Sequence, residues 1–404
     1  MGRNLSRGIL FFLLPGGALT ITMMVIAGRP ELAQTLSSLT PFYPYVTVAV
    51  ALLLGWRFDR SRLVFATAVI ALCGGLLQQF GSRPDAAGRI ITDAITVLLP
   101  LNLALFSLLK ERGIFTWHGL LRWAVILAQP LAVWLLLHNR QYYWLGVFDT
   151  PLISAEWLTT LELQQPALLA MAIALAITLY QALRQRNAME NGLFWAVLLC
   201  GYAMLGAHGH DLRLGLLASA IVILVIAVIE LSYTMAFRDE LTGLPGRRAL
   251  NQSLLKLGGR YTIAMLDVDH FKKFNDRFGH DVGDEVLKMV AAKMGRISGG
   301  GKPYRYGGEE FTAVFAGKSV DDALPHLEQL REAIATADFT VRSSKRPKHK
   351  PQTPTSRGNQ RVRITISIGA AERVADARDP QAVLKAADKA LYRAKKAGRN
   401  RVAS

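Results

Sequence analysis

The chain has 404 residues, which excludes one small domain and suggests two or three. Hydrophobic residues make up 51% of it, yet its formal net charge is +17, which is unusual for a soluble globular protein. The apolar stretches fill the first part and the charge gathers in the second, so we expect a membrane region followed by a soluble one. The two cysteines, Cys73 and Cys200, lie inside apolar runs, which excludes a disulfide framework.

A helix needs roughly 20 apolar residues to cross a bilayer. The first part of the chain contains about eight apolar segments that are candidates for such spans. The first segment follows a short basic N-terminus and lacks a small-residue cleavage site, so we interpret it as an uncleaved membrane anchor. The second and seventh segments are short for a span. The segments cover residues 9–27, 43–56, 63–80, 91–109, 120–137, 166–183, 193–207 and 214–235.

Basic residues are concentrated in the loops that face the cytoplasm if the N-terminus lies there. The outer loops spread their basic residues over longer stretches and also carry acids. An even number of spans then places the C-terminal part in the cytoplasm. The inner basic residues are Arg57, Arg60, Arg62, Lys110, Arg112, Arg184 and Arg186.

Two polar features of the membrane region have alternative interpretations. The loop of residues 138–165 contains five aromatic residues, which fit either a sensor surface or an aromatic belt at the membrane interface. His208, His210 and Asp211 fit either a metal-sensing cluster or a short polar loop. The single acid Asp93, near the outer end of its segment, does not indicate transport.

Strands and helices alternate after residue 235, which predicts an α/β domain over residues 236–404. Residues 342–360 interrupt this pattern with six lysines and arginines, three prolines and few apolar residues, so we expect a disordered basic insertion. It fits either a lipid-contacting loop or a solvated one. Predicted helices cover 248–257, 283–296, 320–335 and 380–396, and predicted strands cover 261–269, 303–306, 310–315 and 363–369.

Two groups of acids stand next to predicted strands. Gly307 and Gly308 lie between strand-like runs and predict a tight hairpin, with Glu309 and Glu310 directly after them. Adjacent acids favour a cation such as Mg²⁺, although a plain surface turn fits this short motif too.

The second group, Asp267 and Asp269, ends an apolar strand, and alternation places both side chains on one face. Carboxylates at a strand end near further acids are typical of sites that hold metal ions for phosphoryl or nucleotidyl transfer. Lys272 and Lys273 follow at once, and a lysine beside a turn can hold phosphates.

A third cluster, residues 275–284, combines amide, imidazole and carboxylate side chains. A carboxylate such as Asp284 accepts from both donors on the pairing edge of guanine, and Asn275 can both donate and accept. The alternative is that Asp281 and Asp284 cap the following helix. A fourth cluster, residues 395–401, places cations where the last helix ends, which the helix dipole favours and a triphosphate would also attract.

Together these clusters resemble the GGDEF family of diguanylate cyclases. The resemblance covers about residues 236–404 and includes the signature in its Gly-Gly-Glu-Glu-Phe form. It differs at Gly246, where the family usually has asparagine. The matching motifs are the opening 238–245, the middle 271–273 and 275–284, the signature 307–311 and the last helix 387–395.

The resemblance implies a ferredoxin-like α/β fold, the palm of nucleotidyl cyclases, behind an all-α membrane domain of residues 1–235. It implies that Asp267, the carbonyl of Val268 and Glu309, with Glu310 beside them, hold Mg²⁺ or Mn²⁺. Glu309 or Glu310 would assist deprotonation of the GTP 3′-hydroxyl. Lys272 would neutralise phosphate charge.

The substrate-binding residues follow from the same resemblance. Asn275 and Asp284 match the guanine-binding pair, and His280 and Phe271 lie with them. Lys395 and Arg399 match further phosphate contacts, and no nucleic acid is expected as a partner.

The implied activity is condensation of two GTP into cyclic di-GMP with release of pyrophosphate. Because each domain binds one GTP, the implied active form is a homodimer through GGDEF domains and membrane helices. It would lie in the lipid of the bacterial inner membrane, with the catalytic domain in the cytoplasm. Two alternatives remain: an inactive GTP-binding regulatory switch, and a transporter or receptor whose output is the cyclase.

One departure concerns product inhibition. Many family members carry Arg-x-x-Asp ahead of the signature as an inhibitory product site. Residues 298–301 stand there as Ser-Gly-Gly-Gly. We therefore expect no feedback inhibition through this site.

Overall fold

A computed structural model describes residues 12–148, 150, 164–204, 208–341, 360–373 and 379–404. The chain divides into two compact units at Ser232 and Tyr233. The predicted insertion of residues 342–360 lies outside the described residues, apart from its last position. Half of the predicted outer loop of residues 138–165, including Trp157, lies outside them as well.

The first unit is helical. Its helices are α1 (Gly16–Ala27), α2 (Pro30–Ser38), α3 (Tyr43–Arg57), α4 (Ser61–Phe80), α5 (Ala86–Leu108), α6 (Trp117–His138), the short α7 (Tyr142–Leu145), α8 (Gln165–Gln185), α9 (Ala188–Met204) and α10 (His210–Phe237).

Each predicted apolar segment falls on one of these helices, but fewer of them meet the requirements of a span. Within the described residues, five helices are long and apolar enough to cross a membrane. A sixth is reached if α2 and α3, which meet at a bend of 63°, count as one broken span. α1 has the composition but is shorter. For the part of the chain that the structure describes, length and hydropathy therefore support five or six spans, whereas the sequence predicts about eight segments.

A buried ion pair joins α4 to α9. Arg62 donates from Nη1 and Nη2 to the two carboxylate oxygens of Glu190, at 2.7 and 2.9 Å. The Glu190 side chain is fully buried. The predicted seventh segment starts at residue 193, whereas α9 begins five residues earlier, at Ala188. The sequence prediction therefore does not include Glu190 in this helix. Breaking one partner of such a pair leaves an uncompensated buried charge, so the pair fixes how these helices meet.

The second unit contains a five-stranded sheet in the order β2-β3-β1-β6-β7. Three of the strand pairs are antiparallel: β2 with β3, β3 with β1, and β1 with β6. The edge strand β7 is parallel to β6. With its helices the unit has the ferredoxin-like α/β palm that the resemblance implies. The elements are α11 (Arg247–Leu254), β1 (Tyr261–Val268), α12 (Phe271–Phe278), α13 (His280–Met294), β2 (Lys302–Gly307), β3 (Glu310–Ala316), α14 (Val320–Ala335), β4 (Phe339–Val341), β5 (Gln360–Val362), β6 (Ile366–Glu372), α15 (Pro380–Lys396) and β7 (Val402–Ala403).

The central strand β1 is buried along its whole length. Its alternate residues enter two hydrophobic clusters, with Leu266 and Val268 in one and Ile263 and Met265 in the other. The second cluster includes α15, so the face that ends in Asp267 is directed towards that helix. α15 approaches β6 closely at Gly369. A Cβ at this position would overlap the backbone of α15, so only glycine fits there.

Two predicted elements differ from the structure. The predicted helix 283–296 extends back to His280, and a separate helix, α12, precedes it across Gly279, whose φ is +88°. The predicted strand 363–369 begins only at Ile366 and continues to Glu372 as β6, while the preceding β5 pairs with β4 in a separate two-stranded sheet.

Candidate active site

The β1 end and the β2–β3 turn bring three predicted acids together. Asp267 stands opposite Glu310 in the β1–β3 register, and the Val268 amide donates to the Glu309 carbonyl at 3.4 Å. The turn depends on Gly308, whose φ is +51°, a region that glycine adopts without strain. Asp267 and Val268 are buried, whereas both glutamates are half-buried.

These acids repel one another. Burial raises the pKa of Glu309 and of Glu310, and the neighbouring Asp267 raises both further. Burial also raises the pKa of Asp267, although Lys395 acts against it. Half-buried carboxylates with raised pKa values are an oxygen donor set suited to a hard divalent cation.

Lys395 lies at the end of α15, and its Nζ is 2.8 Å from Asp267 Oδ1. The resemblance assigns this lysine to phosphate, whereas here it is the ion-pair partner of the candidate metal ligand. Arg399, in a left-handed conformation after α15, likewise acts against the rise in the pKa of Asp267 that burial causes. Within the described residues no three His, Cys, Asp or Glu side chains form a ready ligand group.

Asp269 belongs to a different set of contacts from Asp267. β1 ends at Val268, and the Asp269 carboxylate accepts from Thr365 Oγ1 at 2.7 Å, Ser367 Oγ at 2.6 Å and the Asn400 amide at 3.0 Å. These three hydrogen bonds connect Asp269 to β6, to the residue before it and to the segment after α15, which indicates a structural role for this carboxylate. The strand alternation that predicts both side chains on one face ends with β1 at Val268, although Asp269 is close enough to act towards raising the pKa of Asp267.

The segment after β1 presents a lysine but buries its aromatic neighbour. His270 adopts a left-handed conformation as the N-cap of α12. Phe271 is 7% exposed and belongs to the hydrophobic core, so its ring is not available to a substrate. Lys272 is exposed next to the first-turn amides of α12, which are the N–H groups that helices leave unsatisfied.

The predicted guanine-binding residues fall on α12 and α13. The Asn275 side-chain oxygen is buried and has no hydrogen-bond partner among the described residues. A Cβ at position 283 would overlap that oxygen, so Gly283 makes room for it. His280 and Asp284 are exposed in the first turns of α13.

The capping alternative for this cluster is wrong. The N-cap of α13 is Gly279, and no side chain caps the helix. Asp284 lies too far into the helix to cap it. An unpaired buried amide oxygen costs free energy unless a ligand or water pairs with it, which makes Asn275 a candidate for ligand contact.

Arg305 is a site residue that the sequence analysis missed. Its Nη1 donates to Asp239 Oδ1 at 2.7 Å, and its Nε and Nη2 donate to the Gly308 carbonyl at 3.2 and 2.7 Å. Burial acts to raise the pKa of Asp239, but hydrogen bonds from Thr242 and Arg305 hold it below its usual value. The bridge joins the opening motif to the acidic turn.

Residues 298–301 form a compact turn. Ser298 Oγ contacts His326 Nδ1 and donates to Gln329 Oε1, both at 2.8 Å. Gly299 has a φ of +69°, and a Cβ there would overlap His326. These contacts leave little room for the long side chains of a product site.

Comparison with known proteins identifies the second unit. Residues 236–401 match the family profile "Diguanylate cyclase, GGDEF domain", so this part of the chain is a GGDEF domain of the diguanylate cyclase type.

Among individual proteins, the chain is similar to response regulator PleD of Caulobacter vibrioides, with 38% identity over 179 residues, 42% of this chain and 36% of that protein. It is 39% identical to diguanylate cyclase DgcP of Pseudomonas aeruginosa over 175 residues, 41% of this chain and 24% of that protein. The chain thus spans well under half the length of these relatives.

Among solved structures it is similar to the coiled coil and GGDEF domain of DgcB from Caulobacter crescentus in complex with c-di-GMP. The identity is 32%, the match covers 46% of this chain and 94% of that chain, and the TM-score is 0.41.

Proposed function

We propose that this chain is a membrane-anchored diguanylate cyclase that condenses two GTP into cyclic di-GMP and releases two pyrophosphates. The observation that carries the proposal is the placement of Asp267 opposite Glu310, with Glu309 adjacent. Their raised pKa values indicate a site whose charge is unsatisfied without a cation.

The donor set fits a divalent ion. Asp267, the Val268 carbonyl, Glu309 and Glu310 supply hard oxygen ligands of the type that Mg²⁺ or Mn²⁺ takes. When bound, the ion would offset the negative charge of the triphosphate and of the transferred α-phosphoryl group. Lys395, now paired with Asp267, would be released towards phosphate, which reconciles its observed contact with its expected role.

This chain's own residues divide the remaining work. Glu309 or Glu310 would take the proton of the 3′-hydroxyl, since burial raises the pKa of both and a carboxylate with a raised pKa accepts a proton more readily. Lys272, Lys395 and Arg399 would stabilise charge on the phosphates.

The base would be recognised by the cluster on α12 and α13. The unpaired oxygen of Asn275 would accept from guanine, and the exposed carboxylate of Asp284 would accept from N1 and N2. His280 lies beside them, and Phe271 would contribute through its backbone because its ring is buried. Adenine would leave the carboxylate unpaired, which favours GTP.

Formation of two phosphodiester bonds requires two GTP held face to face. We infer a homodimer in which each 3′-oxygen attacks the other α-phosphorus, and pyrophosphate leaves from each. Because the dimer holds both nucleotides in position, the reaction between them becomes effectively unimolecular, which lowers its entropic cost.

The helical unit would anchor the dimer in a bacterial inner membrane. The five long apolar helices and the basic loops between them support a multi-pass arrangement with the GGDEF domain in the cytoplasm. Signals received by the helices would then change how two domains meet.

The test is an assay of the full chain with GTP and Mg²⁺ in lipid nanodiscs. Wild type should form cyclic di-GMP, and Glu309→Gln and Glu310→Gln should lower the rate by about a hundredfold or more. Glu328→Gln, an exposed acid on α14 paired with Arg331, is the matched control. GTP binding without product in wild type would favour the inactive switch instead.

A second assay compares the full chain with residues 236–404 alone. A difference in rate per domain would measure restraint or activation by the helical unit. Equal rates at equal domain concentration would contradict regulation by it.

A further inference from the structure

A cavity of about 780 Å³ lies between α3, α4 and α10 of the helical unit and opens to its surface, where Tyr45, Gly75 and Gln78 are exposed. This size is within the range of ligand sites. Its lining runs along α4 from Ile70 to Gln78, about 12 Å at the rise of an α-helix. The cavity is therefore long enough for an extended apolar chain of several carbons.

The two ends of this cavity differ in polarity. One end is lined by hydroxyl, amide and carboxylate groups near the bend between α2 and α3, and the rest is lined by aliphatic side chains and glycines. The main polar members are Ser37, Ser38, Thr40, Tyr45, Gln78 and Asp211. An amphiphile with a polar head and an apolar tail matches this division.

The polar end retains hydrogen-bonding capacity. Gln78 Oε1 accepts from the Tyr45 hydroxyl at 3.4 Å, but its amide N–H groups have no partner within the described residues. The Ser37 hydroxyl likewise makes no hydrogen bond to any described residue, whereas Thr40 Oγ1 donates to the Asp211 carbonyl. The end can thus both donate to and accept from a ligand head.

Charge restricts the head group further. Asp211 is the one charged residue among the described residues that line the cavity. A carboxylate or phosphate head would meet this exposed acid without an opposing cation in the lining, and the like charges would repel. A hydroxyl or amide head avoids that repulsion.

Space for the tail comes from two glycines of α4. A Cβ at Gly75 would meet nothing within 4 Å, and one at Gly74 would meet only Leu214 Cδ2 at 3.6 Å. The opposite wall is α10, through residues such as Leu217 and Ile221. α10 continues without interruption to Phe237, where the GGDEF domain begins.

We propose that this cavity binds a single-chain amphiphile with a non-anionic hydrogen-bonding head, which contacts α10 directly. The assignment of such a ligand as a signal rests on the proposed cyclase function, whereas its binding does not. A ligand against α10 would change the position of the helix that leads into the GGDEF domain.

Photolabelling tests the binding by itself. The full chain in phosphatidylcholine nanodiscs is irradiated with a dodecanol analogue that carries a diazirine at the chain end, and adducts are located by peptide mass spectrometry. Adducts should concentrate on residues 70–75 and 214–221. Excess dodecanol should remove them, whereas dodecanoate should compete about tenfold less well.

Two variants fill the cavity from opposite sides. Gly75→Leu should lower labelling there by about tenfold, while Gly75→Ala, which adds one carbon at the same helix position, should retain it. Ala49→Leu fills it from α3 and should act like Gly75→Leu. Labelling of α6, which is only 11% buried and serves as the lipid-facing reference, should stay constant and also reports that the variants are folded.

The proposal is overturned if labelling of α4 and α10 equals that of α6, if the filling variants leave it unchanged, or if dodecanoate competes as well as dodecanol. Cyclase turnover is then measured with and without dodecanol. A response in wild type that is absent in Gly75→Leu supports the signal, and an unchanged rate overturns the signal while the labelling result stands. A chain that forms no cyclic di-GMP at all refutes the cyclase function instead.

Discussion

Arg305 bridges Asp239 and the turn that carries the acidic pair, donating to the Asp239 carboxylate at 2.7 Å and twice to the Gly308 carbonyl. Asp239 lies two residues after α10 ends. The position of the turn is thus tied, through one guanidinium, to the segment that directly follows α10.

Arg305→Ala is expected to lower the free energy of unfolding of the GGDEF domain by about 1–3 kcal/mol, because it removes hydrogen bonds to a charged group. It should also lower the rate at saturating GTP, since the turn loses its anchor. Denaturant unfolding and initial rates measure the two effects. Arg260→Ala, an exposed pair of equal length with Glu372, is the control and should change little.

Lys395→Met should destabilise the metal-free domain, because the Asp267 carboxylate is 7% exposed and loses its ion-pair partner. Mg²⁺ should then raise the melting temperature more in the variant than in wild type, since the ion replaces the lost cation. Lys396→Met, whose ammonium lies over the Tyr392 ring, provides the comparison. An equal Mg²⁺ response in all three proteins would argue against a metal site at Asp267.

Gly283→Ala should raise the KM for GTP by about tenfold, because the new methyl group displaces the Asn275 oxygen that would accept from guanine. Gly295→Ala at the other end of α13 has a φ of −62° and ordinary contacts, so it should behave like wild type. Steady-state kinetics with GTP decide this. An unchanged KM for GTP in Gly283→Ala would contradict the proposed contact between Asn275 and guanine.

Added cyclic di-GMP should not reduce the initial rate through residues 298–301. Ser298 is held by His326 and Gln329, and the neighbouring glycines have no side chains with which to bind product. Initial rates over a range of product concentrations are the measurement. Tight product binding that is lost on substitution within 298–301 would contradict the expectation.

The raised pKa values of Asp267, Glu309 and Glu310 predict a pH dependence. A carboxyl whose folded pKa exceeds its unfolded value makes the folded state bind more protons. Stability of the metal-free domain should therefore fall as pH rises from about 4 through the raised values. The lowered pKa of Asp239 acts in the opposite direction at lower pH.

Denaturant unfolding of residues 236–404 at several pH values separates these effects. The double variant Glu309→Gln, Glu310→Gln should show a smaller decline than wild type, and saturating Mg²⁺ should reverse the wild-type decline because protons compete with the ion. A decline that is unaffected by the double variant would assign it to other groups.

Local signals account for the parts of the fold that the sequence predicted well. The bounds of α14 and α15 agree with the predicted 320–335 and 380–396, because Ser319 forms a capping box with Asp322 and Asp379 caps a helix that starts with proline. The break between β5 and β6 was not predictable, since β5 pairs with β4 in a two-stranded sheet whereas β6 pairs with the distant β1, and no local signal shows which strand will be the partner.

For the candidate site, the acids could be found from their positions beside strands, and the register brings Asp267 and Glu310 together. The contacts of Arg305 and Lys395 could not, because no periodicity or spacing shows which distant acid a cation will reach. The burial of the Phe271 ring also escapes a motif-based prediction, which cannot distinguish side-chain from backbone contributions.

The position of β1 between β3 and β6 affects how often this part of the sheet opens locally. Amide hydrogens of a strand paired on both sides exchange with solvent only when the whole sheet opens. Asp267 is carried by this most protected strand, so its carboxylate has no route to water through fraying of an edge. The sheet therefore holds in place the carboxylate that we propose as a metal ligand.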